Sequence, residues 1–176
     1  MDISLKIGTP LLAAADGRLI HKGTGGRLTG HVIWIQHSPK DTGLGLWTYT
    51  KYQHLNKLPD MAIGTRLKMG DIVGTSGNTG TTGGYFKQFG YPHLHMNVYS
   101  STNNKYRTRK HKVKIKNRGY VDPVAFYRNG AINSHQVRIL SKREKIINIG
   151  VKLLSGKIIP ENSKRIWPVN CKMNEE

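Results

Sequence analysis

The chain has 176 residues, 37% of them hydrophobic and 20 of them glycine, which allows one packed domain with extensions and favours turns and short strands over long helices. No stretch approaches the roughly 20 apolar residues of a membrane-spanning helix, and a single cysteine, Cys171, excludes an intrachain disulfide framework and reads as a tail thiol. The net charge of +18 directs attention to polyanionic partners.

In chain order, Asp2 precedes the run Gly8-Thr9-Pro10-Leu11-Leu12-Ala13-Ala14-Ala15-Asp16-Gly17. These first residues already belong to a fold motif, so no signal peptide is expected within them. Strands are predicted at 17–23, 31–37, 46–55, 71–75, 93–99 and 112–116, where Ile33, Ile35, Trp47, Tyr49 and Tyr52 supply β-branched and aromatic content. Loops fall at Gly23 to Gly30, Pro39 to Gly45 and Ser76 to Gly84. No segment before residue 140 carries helical periodicity over three turns. The expected fold class is therefore mostly β: an antiparallel sheet domain with little helix. Lys112, Lys114 and Lys116 alternate with Val113 and Ile115, the pattern of a half-buried strand with a charged outer face. Residues 136–140 and 145–154 read as further strands, or as a strand and a helix. The domain expected is 1–130, with a basic insertion at 101–118 and a C-terminal extension at 131–176.

The chemistry-bearing segment is Pro92-His93-Leu94-His95-Met96-Asn97. On a strand, side chains alternate, so His93, His95 and Asn97 face one way and Leu94, Met96 and Val98 the other. Two imidazoles over a packed apolar row suit the floor of a metal site. A second histidine segment, Thr48-Tyr49-Thr50-Lys51-Tyr52-Gln53-His54-Leu55, lies upstream, and between the two come Gly70-Asp71-Ile72-Val73-Gly74 and Gly77-Asn78-Thr79-Gly80.

In order and spacing this set resembles the catalytic domain of lysostaphin/LytM-type zinc endopeptidases, which cut peptide cross-links in peptidoglycan. That family reads H-x-x-x-D, G-T-P-V-x-A-x-x-D-G, Y-x-H-L, G-D-x-[IV]-G-x-x-G-x-T-G and P-H-L-H-F-E. Val121-Asp122-Pro123-Val124-Ala125-Phe126-Tyr127 resembles its closing segment. The resemblance implies a duplicated-hybrid-motif-like antiparallel sheet whose concave face is a substrate groove. It implies Zn2+ as cofactor, Asp2 and His95 as metal ligands, and His54 and His93 as catalytic acid/base and transition-state groups. Asn97 stands where the family carries Glu or Gln, in reach of a ligand's far nitrogen. Tyr52, Tyr85 and Tyr91 are expected along the substrate groove. Segment 79–91, with Tyr85, Phe86, Phe89 and Tyr91, is expected to wall it. His37 is expected to be structural, and His21, His31, His111 and His135 to lie at the surface or in loops.

The family's leading His would stand four residues before Asp2, ahead of Met1. A zinc site of this type needs three protein ligands and an open position, so the expectation is that an upstream segment completes it and carries any signal peptide. Two functional readings stay open. One is a zinc metalloendopeptidase acting on peptidoglycan outside the cytoplasm. The other is a catalytically inactive relative that binds peptidoglycan or activates a partner. Residues 72–121 contain no acidic side chain, and Lys105, Arg107, Arg109, Lys110, Lys112, Lys114, Lys116 and Arg118 crowd one segment. Anionic cell-wall polymers are the partner expected for it, against the blander reading of a solvated hairpin. Nucleic acid is not, because no base-reading motif or stacking aromatics accompany the charge.

Overall fold

The computed structural model describes residues 1–26, 28–81, 90–110, 112–130 and 132–172. Seven strands form the main sheet: β1 (Asp2–Ser4), β3 (Gly17–Thr24), β4 (His31–His37), β5 (Trp47–Leu55), β6 (Arg66–Leu67), β8 (His93–Ser101) and β11 (Gly119–Val121). Their order is β1-β8-β5-β4-β3-β6, and each pairing is antiparallel. β11 shares the outer edge of β8 with β1: β1 pairs with His93–His95, β11 with 98–100. Two-stranded pairs flank the sheet, β2 (Pro10–Leu12) with β7 (Ile72–Thr75), β9 (Tyr106–Arg109) with β10 (Lys112–Ile115), and β12 (Val151–Lys152) with β13 (Ile158–Ile159). Among the described residues the helices are short, α1 (Pro39–Thr42) and α2 (Ser134–Arg138), with a 3-10 turn at Ala125–Tyr127, and no helix is long and apolar enough to cross a membrane.

Strand alternation sorts the sheet into two faces. Leu19, Ile33, Ile35, Tyr52, Leu94, Met96 and Val98 form the core face, covered by Leu11 and Val73 from the β2–β7 pair and by Phe126 and Tyr127. The chain beyond residue 130 returns to the same core. Ile166 is buried, Ile132 and Val169 join the cluster, and main-chain bonds tie Leu12 N to Pro168 O (2.8 Å) and Ile166 N to Ala14 O (2.8 Å). On the opposite face, Val32, Trp34, Tyr49 and Tyr99 form a second cluster under Val113 and Ile115 of β10. The hairpin thus lies over one end of that face, its lysines outward, as the alternation of Lys and apolar residues predicted. The other end carries the histidines.

The six predicted strands are all present, with ends shifted by up to two residues. β1, β2, β6, β9, β11 and β13 were not predicted: each is only two to four residues long, too short to display a period. Two expectations on single residues are corrected. His21 is buried, not a surface residue, because it lies inside β3 opposite Trp34. Tyr52 is not a groove residue. It pairs with Met96 on the core face and is fully buried, and its hydroxyl donates to Leu12 O (2.9 Å) while accepting from Ala14 N (3.0 Å). His37 is structural as expected. It is fully buried, with Nδ1 against the Asp16 carbonyl (2.6 Å) and Nε2 against the Thr50 hydroxyl (2.8 Å). A carbonyl only accepts, so Nδ1 carries the proton and Nε2 accepts from Thr50. Gly17 permits this packing, since a Cβ there would lie 2.7 Å from the His37 ring.

Candidate metal centre

Three elements bring four side chains together. β8 presents His93 and His95 on one face by alternation. β1 pairs with it so that Asp2 stands directly opposite His95 and Ser4 opposite His93. Cross-strand partners share a face, so this register delivers the Asp2 carboxylate to the histidines. Asp2 Oδ1 lies 2.6 Å from His95 Nδ1 and 3.7 Å from His93 Nε2. Burial opposes ionisation of Asp2, but the His95 hydrogen bond and the neighbouring His95 and His93 rings outweigh it and hold the pKa below the usual carboxylate value.

His54 reaches the same place by a different route. Along β5, alternation would send it to the core face with Tyr52. Instead His31 pairs with Leu55 and Val32 with Gln53, leaving His54 as the extra residue of a bulge, with φ at +63°. That left-handed backbone is uncommon for a residue with a Cβ and costs about 1 kcal/mol or more. Thr79 holds it. Its carbonyl accepts from His54 Nδ1 (2.8 Å), its hydroxyl donates to Leu55 O (2.7 Å), and the same hydroxyl accepts from His31 N (2.9 Å). Gly30 lets the Thr79 backbone approach, because any Cβ at Gly30 would overlap the Thr79 carbonyl. The outcome is a His54 ring 4.6 Å from that of His93 and 5.9 Å from that of His95, centre to centre. Thr79 is a positioning residue that sequence reasoning placed in a motif without a role.

Tautomers follow from the acceptors. His54 Nδ1 faces the Thr79 carbonyl and His93 Nδ1 faces the Tyr91 carbonyl (2.9 Å), so in both neutral rings the proton sits on Nδ1 and Nε2 is an open acceptor. Burial pushes the His54 pKa down, and the neighbouring histidines add to this against the pull of the Thr79 carbonyl. Tyr91 stacks on His93 at 4.5 Å and is 38% exposed, which places it at the rim. A recess of about 160 Å³ beside the rings is lined by His54, Thr81, Gly90, Tyr91 and His93. Tyr85, Phe86 and Phe89 lie outside the described residues. Asn97 is on the groove face, but its Oδ1 accepts from Gln53 Nε2 (3.2 Å) rather than meeting a ring nitrogen of His95, and Gln53 Oε1 accepts from Lys51 Nζ (2.6 Å). That corrects the expected link from Asn97 to a ligand ring. Burial draws the Lys51 pKa down to about 8.

The donors suit zinc. His54, His93 and His95 each offer a nitrogen, all within 4.8 Å of one another, and Asp2 Oδ1 lies close to two of these rings, those of His93 and His95. Zinc takes imidazole nitrogen and carboxylate oxygen at about 2.0–2.2 Å, which sets ligand atoms about 3.3 Å apart, so small side-chain shifts would seat an ion.

Comparison with known proteins decides the family. The model of peptidase family M23 matches residues 1–109. The chain belongs to peptidase family M23. An uncharacterised metalloprotease of Buchnera aphidicola subsp. Baizongia pistaciae is 36% identical over 99 residues, 56% of this chain and 22% of that protein. The peptidoglycan DD-endopeptidase ShyC of Vibrio cholerae is 36% identical over 95 residues, 53% of this chain and 18% of its own length. The M23 chain therefore spans about a fifth of these relatives. Among solved structures, the catalytic domain of lysostaphin from Staphylococcus simulans matches with a TM-score of 0.46 and 27% identity, covering 59% of this chain and 67% of that one. The M23 match includes β1 through β9, and with them Asp2, His54, His93 and His95.

Proposed function

We propose that this M23 chain is a zinc metalloendopeptidase that hydrolyses peptide cross-links of peptidoglycan. The observation that carries the reading is the convergence of the Asp2 carboxylate with His54, His93 and His95 on one open sheet face of a peptidase-family chain. The name of one relative, a peptidoglycan endopeptidase, supports the substrate class. Such a substrate lies outside the cytoplasmic membrane, and that is the proposed place of action. The outward lysines of the hairpin support long-range attraction to a wall rich in anionic polymers.

Asp2 and His95 would supply two of the metal's ligands, and when bound, zinc supplies a Lewis acid that polarises the scissile carbonyl and acidifies water. The remaining work belongs to the chain. His54, kept neutral by burial and with Nε2 unprotonated, takes a proton from the attacking water and passes it to the leaving amine. His93, whose ring is fixed between Tyr91 and His54, borders the oxygen that gains charge and would stabilise it. Tyr91 at the rim borders the path of the peptide.

The test is incubation with purified cell-wall sacculi. New amino groups should appear without new reducing sugar ends, activity should vanish with a chelator and return with zinc, and His54→Ala or His93→Ala should abolish release while leaving bound zinc in place. Sacculus binding with no amine release, in zinc-loaded protein, would instead identify a binding module.

A further inference from the structure

The groove floor continues past the histidines. Two residues beyond the Gln53–His95 pair stands the Lys51–Asn97 pair, about 7 Å further along the strands. Beside Lys51 on β4 stands its partner Trp34, and further along β8 stands Tyr99, two residues on from Asn97. Here the sheet and the β9–β10 hairpin enclose a pocket of about 310 Å³ whose lining includes Trp34, Lys51, Tyr99, Lys112, Lys114 and Arg118.

Two of these cations are fixed by aromatic faces. Lys51 Nζ lies 5.4 Å from the centre of Trp34, and Arg118 Cζ lies 5.4 Å from Tyr99 and 5.0 Å from Tyr120. Trp34 and Tyr99 stack on each other at 5.4 Å with a 20° tilt, giving the pocket a firm floor. Among the described residues no carboxylate forms an ion pair with Lys51, Lys112, Lys114 or Arg118. The sequence accounts for this: residues 17–40, 42–59 and 72–121, which supply every strand around the pocket, contain no Asp or Glu. Like charges gathered in a concave, half-enclosed place repel one another, and a bound anion relieves that repulsion.

We propose that this pocket is an anion subsite of the groove that receives a side-chain carboxylate of the peptide being cut. The inference rests on the peptidase reading. Its distance from His95, about 7–13 Å along β8, corresponds to roughly two to four residues of an extended peptide. The subsite would thus select for an acidic residue at that separation from the cleaved bond.

The experiment uses the full zinc-loaded chain and peptidoglycan-derived peptides in matched pairs, side-chain carboxylate against carboxamide. Cleavage and equilibrium binding are both measured. Wild type should favour the carboxylate member by about ten- to a hundredfold in kcat/KM, the range expected of one charge-assisted contact. Lys112→Gln/Lys114→Gln and, separately, Arg118→Gln should bring the ratio toward one by lowering kcat/KM and affinity for the carboxylate member. Lys142→Gln/Arg143→Gln, an equal loss of charge on the exposed C-terminal segment, should preserve it. Equal cleavage of both members by wild type overturns the subsite and leaves the peptidase standing. No cleavage, with binding that still discriminates and loses discrimination in the variants, sinks the peptidase and keeps the subsite. Displacement of the peptide by poly(glycerol phosphate) from wild type but not the variants, without carboxylate preference, assigns the pocket to polymer phosphate and overturns the proposal.

Discussion

His54 depends on a single neighbour for its place. Thr79 satisfies the groups freed by the bulge with both its carbonyl and its hydroxyl, so Thr79→Val should cost about 1–3 kcal/mol. It should also lower kcat more than it raises KM, because the mispositioned ring serves the reaction rather than binding. Denaturation and steady-state kinetics on the same preparation check both. Tyr52 is the opposite case. Its hydroxyl is buried between Leu12 O and Ala14 N, so Tyr52→Phe should destabilise by about 1–3 kcal/mol and leave cleavage per folded molecule unchanged. A fall in kcat/KM without loss of stability would return Tyr52 to the groove. For the metal, His95→Ala removes the nitrogen facing Asp2. Zinc affinity, read by competition with a chromophoric chelator, should fall by more than about a hundredfold, beyond the usual loss for an outer partner.

Within β4, burial lowers the His37 pKa to about 4, overriding the Asp16 carbonyl that favours the charged ring. The unfolded chain binds that proton near 6.5, its ordinary value, so between pH 6.5 and 4 the unfolded state holds more protons than the fold. The contribution is therefore complete above pH 6.5 and lost as pH falls toward 4, by about 3 kcal/mol. Urea midpoints at pH 7 and pH 4.5 should show the loss, and His37→Gln should shrink it. The strands themselves were legible where alternation had room to repeat. His93, Leu94, His95 and Met96 declare their two faces within β8 because the period is local. β1 was not legible as a strand, being three residues whose pairing is fixed by β8 at the far end of the match.

At the scale of the molecule, the C-terminal segment is part of the fold rather than an attachment to it. Ile166 is wholly buried, and Ile166 N and Pro168 O bond the β2 region. Truncation after residue 130 should abolish the cooperative thermal transition. Ile166→Ala in the full chain should cost about 2–5 kcal/mol. Retention of a sharp transition in the truncated chain would show that 1–130 folds alone. This packing could not be read from the sequence, because its apolar residues are scattered among Lys, Asn and Pro without a period and take their meaning from the β2 strand they cover.

The sequence by itself determined the family motifs, the antiparallel β class, the shared face of His93, His95 and Asn97, and the absence of acid around the groove. Each of these rests on residue identity or on a two-residue repeat. Only the tertiary structure decided that Asp2 meets His95 across a register, that a bulge turns His54 away from Tyr52 and onto the groove face, and that the basic hairpin lies over one end of that groove. Those outcomes depend on which strand pairs with which and on one extra residue in a ladder, and neither leaves a periodic trace in the chain.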